Sequence, residues 1–205
     1  GWCRVLPLLL ASLLGVGTAA AQETDCAGGV VKDDGVPETG YGWVPSVVEG
    51  VYVQQFSSED VPSGFLDSVC VCWLRTEPDD DIDFEIVIYA DAGAVPQLEP
   101  YAAVPAGAVA VAEGVASGGS FSRVEVGGLP VPEGPFHVGV RWNPSVDRFF
   151  FVCADSGPDT PVQAGFFIDD RADEWGEMLD TTDPIFAQHR ATMIRLEAAP
   201  PRAAI

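Results

Sequence analysis

The chain has 205 residues, 47% of them apolar, with 31 aspartates and glutamates against 10 lysines and arginines. Its net charge of −21 at pH 7 repels nucleic-acid backbones and anionic lipid faces, which excludes both as partners. The 22 glycines and 17 prolines lie scattered between short apolar runs, as turns within one globular domain do.

Val5 to Val16 is apolar, follows Arg4 and runs into Ala19-Ala20-Ala21. It reads as a secretory signal over residues 1–21, cut after Ala21. That sends the remaining chain outside the cytoplasm, secreted or periplasmic, where four cysteines can oxidise. An uncleaved anchor is the alternative, weakened by a run of only about 12 residues, and no second run approaches the roughly 20 needed for a membrane span. Residues 22–32 read as an N-terminal extension, 33–197 as a β-sandwich domain and 198–205 as a flexible tail.

Strand signals then dominate. Val51 to Phe56 is β-prone, and Ser68 to Arg75 sets Val69, Val71 and Trp73 against Cys70, Cys72 and Leu74 on the opposite face. Ile82 to Tyr89 alternates most cleanly, with Ile82, Phe84, Ile86 and Ile88 turned inward and Asp83 and Glu85 outward. Val104 to Ala116 and Ser120 to Val126 alternate more weakly. Phe136, Val138, Val140 and Trp142 share a face, and Phe149 to Cys153 is aromatic on both faces. Gln163 to Ile168 and Ala191 to Glu197 complete the set. Asn143-Pro144-Ser145 predicts a hairpin turn, and Ala172 to Leu179 is the one short helix candidate, or else a loop around Trp175. Eight or nine short strands between Gly, Pro and Asp turns predict an all-β fold, an antiparallel, jelly-roll-like sandwich.

Cys26, Cys70, Cys72 and Cys153 allow three pairings. On a strand, Cys70 and Cys72 stand about 6.6 Å apart with parallel Cβ directions, whereas a disulfide needs Cβ atoms about 3.8 Å apart. Each therefore takes one of Cys26 and Cys153. The short N-terminal segment can lie along this strand, which favours Cys26–Cys70 with Cys72–Cys153; the exchanged pairing stays open.

Catalytic signals are sparse. His137 and His189 lack partners at metal-binding spacing and read as structural. No nucleophile elbow, phosphate loop or dinucleotide fingerprint occurs. Calcium has more to choose from, since it takes six to eight oxygens from carboxylates and carbonyls in loops. Asp79, Asp81 and Asp83 form one candidate ligand group, Asp169, Asp170 and Asp173 a second, and Asp33-Asp34-Gly35 a third and smaller cluster. Solvated acidic turns are the competing reading for each. Tyr41, Trp43 and Trp175 are candidate ligand-binding aromatics, able to stack on sugar rings or grip a cationic peptide, or alternatively plugs for the end of a sandwich.

Several short stretches carry a family resemblance: Asp33-Asp34-Gly35 and Glu38-x-Gly40-Tyr41-Gly42-Trp43, then Gly139-Val140-Arg141-Trp142, then Trp175 and Met193-Ile194-Arg195. With this layout the chain resembles exported bacterial β-sandwich accessory and surface modules. The resemblance implies an accessory, adhesive or carbohydrate-binding role and no catalytic residue. The expectation is a secreted, non-catalytic binding or structural module with a structural Ca2+, meeting an extracellular polysaccharide or surface protein. The alternative is a secreted glycoside hydrolase working through paired carboxylates.

Overall fold

The computed structural model describes residues 26, 28–75, 81–110, 119–147, 150–157, 160–178 and 188–200. The signal expected over residues 1–21 lies outside the described residues.

Two antiparallel sheets face each other. One contains β1 (Thr39–Tyr41), β3 (Phe65–Arg75), β6 (Ser120–Pro130), β8 (Phe150–Asp155), β11 (Ala191–Thr192) and β12 (Ile194–Ala198). The other runs β10 (Gly176–Glu177), β9 (Gly165–Asp169), β2 (Gly50–Ser57), β7 (Pro135–Trp142), β4 (Asp81–Ala90), β5 (Ala102–Ala110). The period-2 patterns explain the layering. Val69, Val71 and Trp73 from β3 meet Ile82, Phe84, Ile86 and Ile88 from β4 and Phe136, Val138, Val140 and Trp142 from β7 in one buried core. Trp73 sits at its centre, edge-on to Trp142 at 5.3 Å and to Phe84 at 5.1 Å.

The opposite face of β3 builds a second, smaller core from Cys72, Leu74, Cys153 and Met193, with Phe121 and Phe151 against it. The structure joins Cys26 to Cys70 and Cys72 to Cys153. The first bond lays the N-terminal segment over the outside of its sheet, where Val30 bridges Leu196.

Two local expectations are corrected. The Asn143-Pro144-Ser145 turn closes no hairpin: β7 pairs with β2 and β4, β8 with β3 and β1, so the turn carries the chain between sheets. In its place between β1 and β3, β8 sets Phe150 in the main core and Phe151 against the smaller core on the other face. The described part of Ala172 to Leu179 is turn and the strand β10, not helix. Gly176 decides this, because a Cβ there would come within 2.3 Å of the Phe167 ring across the β9–β10 hairpin. The described residues contain no α-helix, and none long and apolar enough to cross a membrane.

Candidate metal centre

Asp155 ends β8, and its side chain is where three parts of the chain meet. The β1–β8 ladder continues past β1, with the Glu38 N–H donating to the Ala154 carbonyl at 3.2 Å, so Glu38 lies beside Asp155. The N-terminal segment adds Asp34, whose own N–H donates to Asp155 Oδ2 at 2.9 Å. Asp34, Glu38 and Asp155 thereby present carboxylate oxygens all within 4.8 Å of one another.

Each carboxylate is aimed by a donor. Gly157 N–H and the Thr160 hydroxyl hold Asp155 at 2.8 and 2.5 Å. Ser156 N–H holds Glu38 Oε2 at 2.9 Å, and Val36 N–H holds Asp34 Oδ1 at 2.8 Å. Gly157 marks the point where they converge: a Cβ there would lie 3.2–3.3 Å from Asp155 Oδ1, Asp34 Oδ2 and Glu38 Oε1 together. Asp155 is buried, Glu38 half-buried and Asp34 exposed, so the cluster opens on one side. Among the described residues no lysine or arginine forms an ion pair with any of the three. Burial, and then the neighbouring charges of Asp155 and Asp34, raise the Glu38 carboxyl above the usual range, against the opposing Ser156 N–H. The arrangement suits one divalent cation, which would remove this repulsion.

Among the described residues, the acidic groups adjacent in sequence do not converge. Asp79 lies outside the described residues, and Asp81 and Asp83 stand exposed on β4. Asp169 is taken by Arg171, with Nη2 at 2.5 Å and the Arg171 N–H at 2.9 Å. Asp170 accepts the Val48 and Glu49 N–H groups at 3.0 and 3.3 Å, and Asp173 is exposed. Strand and turn neighbours diverge, and protein donors already engage buried Asp169 and exposed Asp170 of the second group. Asp33 also leaves its neighbour, pairing with Arg195. Only Asp34 of the flagged acids joins the cluster. Glu38 stands out in the sequence only within the stretch that carries the family resemblance, and Asp155 carries no signal beyond being acidic at a strand end.

Tyr41 and Trp43 are buried against Tyr52, with centroids at 6.0 and 5.0 Å, and offer no face to a sugar. Trp175 is half-buried, edge-on to Tyr89 at 5.0 Å, its Nε1–H donating to the Gln97 carbonyl at 3.2 Å.

Both histidines are buried. His137 Nε2 meets Asp91 Oδ2 at 3.1 Å. His189 has no hydrogen-bond partner for either ring nitrogen among the described residues, and burial pushes its pKa down to about 4, against a weak opposing pull from Asp155. An unfolded chain takes up this proton near pH 6.5, the folded one only near 4, so stability is lost as pH falls between them. The loss expected by pH 4 is about 3 kcal/mol at 1.36 kcal/mol per unit. Urea unfolding of His189→Leu against the parent at pH 7 and pH 4.5 checks it: equal pH dependence in both would refute the assignment.

No protein-family model matches the chain, and no curated protein matches it. One solved structure similar to it holds the cysteine protease and lectin-like domains of Cwp84, a surface-layer-associated protein of Clostridium difficile. The TM-score is 0.50 at 13% identity, covering 74% of this chain and 32% of that one. A clostridial cysteine protease Cwp84 structure after propeptide cleavage gives 0.49 at 14% identity, covering 74% and 36%. The likeness is one of fold, and this chain spans about a third of the length of the first structure.

Proposed function

We propose that the chain is a secreted, non-catalytic β-sandwich module, jelly-roll-like in closure, whose Asp34–Glu38–Asp155 centre binds Ca2+. The observation that carries the cation is the convergence of three carboxylates, without a basic partner among the described residues, on the open point beside Gly157. A cation there joins β8 to the N-terminal segment, so binding favours the native state. Three carboxylates supply three to six oxygens, and Ca2+ tolerates the irregular geometry that Mg2+ does not. An extracellular polysaccharide or surface protein is the proposed ligand of such a module, and half-exposed Trp175 is the flagged aromatic able to meet it.

At calcium 100-fold above its Kd the native state gains about 2.7 kcal/mol, several degrees in Tm for a domain of this size. The response is expected to exceed that to Mg2+ at matched ionic strength. It should weaken as pH falls through the raised pKa of Glu38, because the protonated carboxyl no longer ligates. Gly157→Ala, which fills the convergence point without changing charge, and Asp34→Asn should each abolish the shift. Equal responses to both ions, or an intact shift in both variants, would sink this reading.

One observation favours a second reading, a secreted glycoside hydrolase. Glu38 holds its proton more tightly than an ordinary glutamate beside two further carboxylates, as a general acid does. A cleft of about 390 Å³, lined by Lys32, Asp34 and Thr160 among others, opens alongside. Asp34 would then be the partner carboxylate. Turnover of aryl glycosides, lost in Glu38→Gln, would establish it.

A further inference from the structure

We propose that a notch in the main core, bordered by Gln54, Met178 and His189, is a binding site for a soft monovalent metal ion of the Cu+ class. It goes beyond the calcium reading and shares no ligand with that centre. Strand register makes the notch. Gln54 on β2 stands opposite Gly165 on β9, and the Met178 N–H donates to the Gly165 carbonyl at 2.8 Å, one step beyond the β9–β10 ladder. Residues opposite one another on antiparallel strands project from the same face. Gln54, Gly165 and Met178 therefore form one row on the core side of the sheet, and the middle member has no side chain. His189, which precedes β11 of the other sheet, reaches in over that middle position. A Cβ on Gly165 would lie 3.0 Å from His189 Nε2 and 3.1 Å from Met178 Sδ, so both atoms border the same point.

Two of the polar side chains here are buried and unspent. His189 is 4% exposed and Gln54 1%. Neither ring nitrogen of His189, nor Oε1 or Nε2 of Gln54, has a hydrogen-bond partner among the described residues. Nearly all buried polar groups in proteins are paired, so four unpaired atoms around one row of the sheet mark a place built to receive a ligand. The donor chemistry decides its class. Burial keeps the imidazole neutral at pH 7, and with its proton on Nδ1 it presents the Nε2 lone pair. The Met178 thioether accepts the Thr192 hydroxyl at 3.8 Å and keeps a second lone pair for an ion. Thioether sulfur selects Cu+, and imidazole suits the same metal. Ca2+ and Mg2+ take carboxylate and carbonyl oxygens instead. Among the described residues no pair of carboxylates joins His189 in a three-ligand group, so a neutral set of donors favours a single charge.

The test is titration of the whole protein with Ag+, a redox-inert stand-in for Cu+, in chloride-free buffer. Cys3 is replaced by serine so that its thiol does not compete. Binding is followed by calorimetry and by NMR of the methionine methyls and histidine rings. The sequence has two methionines and two histidines, so Met193 and His137 serve as controls within the molecule. One equivalent is expected to bind saturably, moving the Met178 methyl and the His189 ring and leaving Met193 and His137 in place. Met178→Leu conserves volume and should fold, yet weaken binding at least tenfold. Met193→Leu should change it less than twofold. Gly165→Ala keeps every donor and fills the notch, so it should weaken binding as strongly as Met178→Leu. Competition for Cu+ against a Cu+-selective chelator should rank the variants in the same order. No saturation, shifts at Met193 or His137 instead, or unchanged binding in Met178→Leu would overturn the proposal.

Discussion

Asp33→Ala is expected to cost about 3–5 kcal/mol of unfolding free energy, because it strands the Arg195 guanidinium in the protein interior. The two side chains are 1% and 8% exposed. Arg195 forks onto the carboxylate, Nη2 to Oδ1 at 2.5 Å and Nε to Oδ2 at 3.1 Å, and Nη1 donates to the Cys26 carbonyl at 3.1 Å. Its flat face lies 4.0 Å from the Phe121 ring centroid, which fixes the guanidinium plane. Once the carboxylate is gone, the charge can neither move to water nor find another acceptor without dragging β12 or the N-terminal segment. The intact pair need not be worth that much, since desolvation offsets most of its Coulomb attraction. The Asp33→Leu/Arg195→Met double variant should therefore recover most of the loss. Urea unfolding of the parent, the single and the double variant forms the cycle. A single-variant loss below about 1 kcal/mol, the range of solvent-exposed pairs, would mean water reaches this site.

That pair also shows what the sequence could and could not convey. Asp33-Asp34-Gly35 reads as one acidic turn, yet the two side chains part, Asp33 to Arg195 and Asp34 to Asp155. The strands themselves are legible because burial on one face imposes a period of two, as Ile82, Phe84, Ile86 and Ile88 display. Connectivity between sheets is not legible from the same signal. Asn143-Pro144-Ser145 has hairpin chemistry, and only the partners of β8, far away in sequence, show that the chain crosses over there. The cation cluster is hidden for a related reason. Acidic residues two apart on a strand are about 6.6 Å apart on one face, and neighbours point to opposite faces, so Asp81 and Asp83 stand side by side on β4 without converging on one point. Glu38 and Asp155 meet because two strands pair, which is a property of the fold and not of either segment. Tyr41 and Trp43 follow the same logic. Their aromatic, glycine-spaced run looks like a binding platform, and the sheet opposite turns it into core.

Removing the Cys72–Cys153 bond by the Cys72→Ala/Cys153→Ala pair is expected to cost about 4–5 kcal/mol in the chain-entropy account of disulfides. The bond closes 81 residues of chain, against 44 for Cys26–Cys70, for which the same reasoning gives about 4 kcal/mol. Local structure points the same way. β3 and β8 pair directly at Trp73 and Val152 and then part around Met193, whose N–H donates to the Cys153 carbonyl at 2.9 Å while its own carbonyl accepts the Cys72 N–H at 3.0 Å. The disulfide crosses this junction, where three strands meet just past the three-residue β3–β8 ladder of Trp73, Leu74 and Arg75 with Val152, Phe151 and Phe150. Gly119 packs on it so closely that a Cβ would lie 2.8 Å from both sulfurs, so the small core there is fitted to the bonded pair. The two bonds should also differ in what they do to the cation centre. Cys153 is two residues from Asp155, so losing its bond loosens the ligand at the root. Cys26 anchors the segment that delivers Asp34, so Cys26→Ala/Cys70→Ala should weaken calcium binding through the exposed ligand while costing less stability. Urea midpoints for both pairs, each with and without calcium, separate the effects. A loss below about 1 kcal/mol for Cys72→Ala/Cys153→Ala would show that the Met193 junction holds β8 to β3 without the covalent bond, and that the 81-residue loop is already constrained in the unfolded chain.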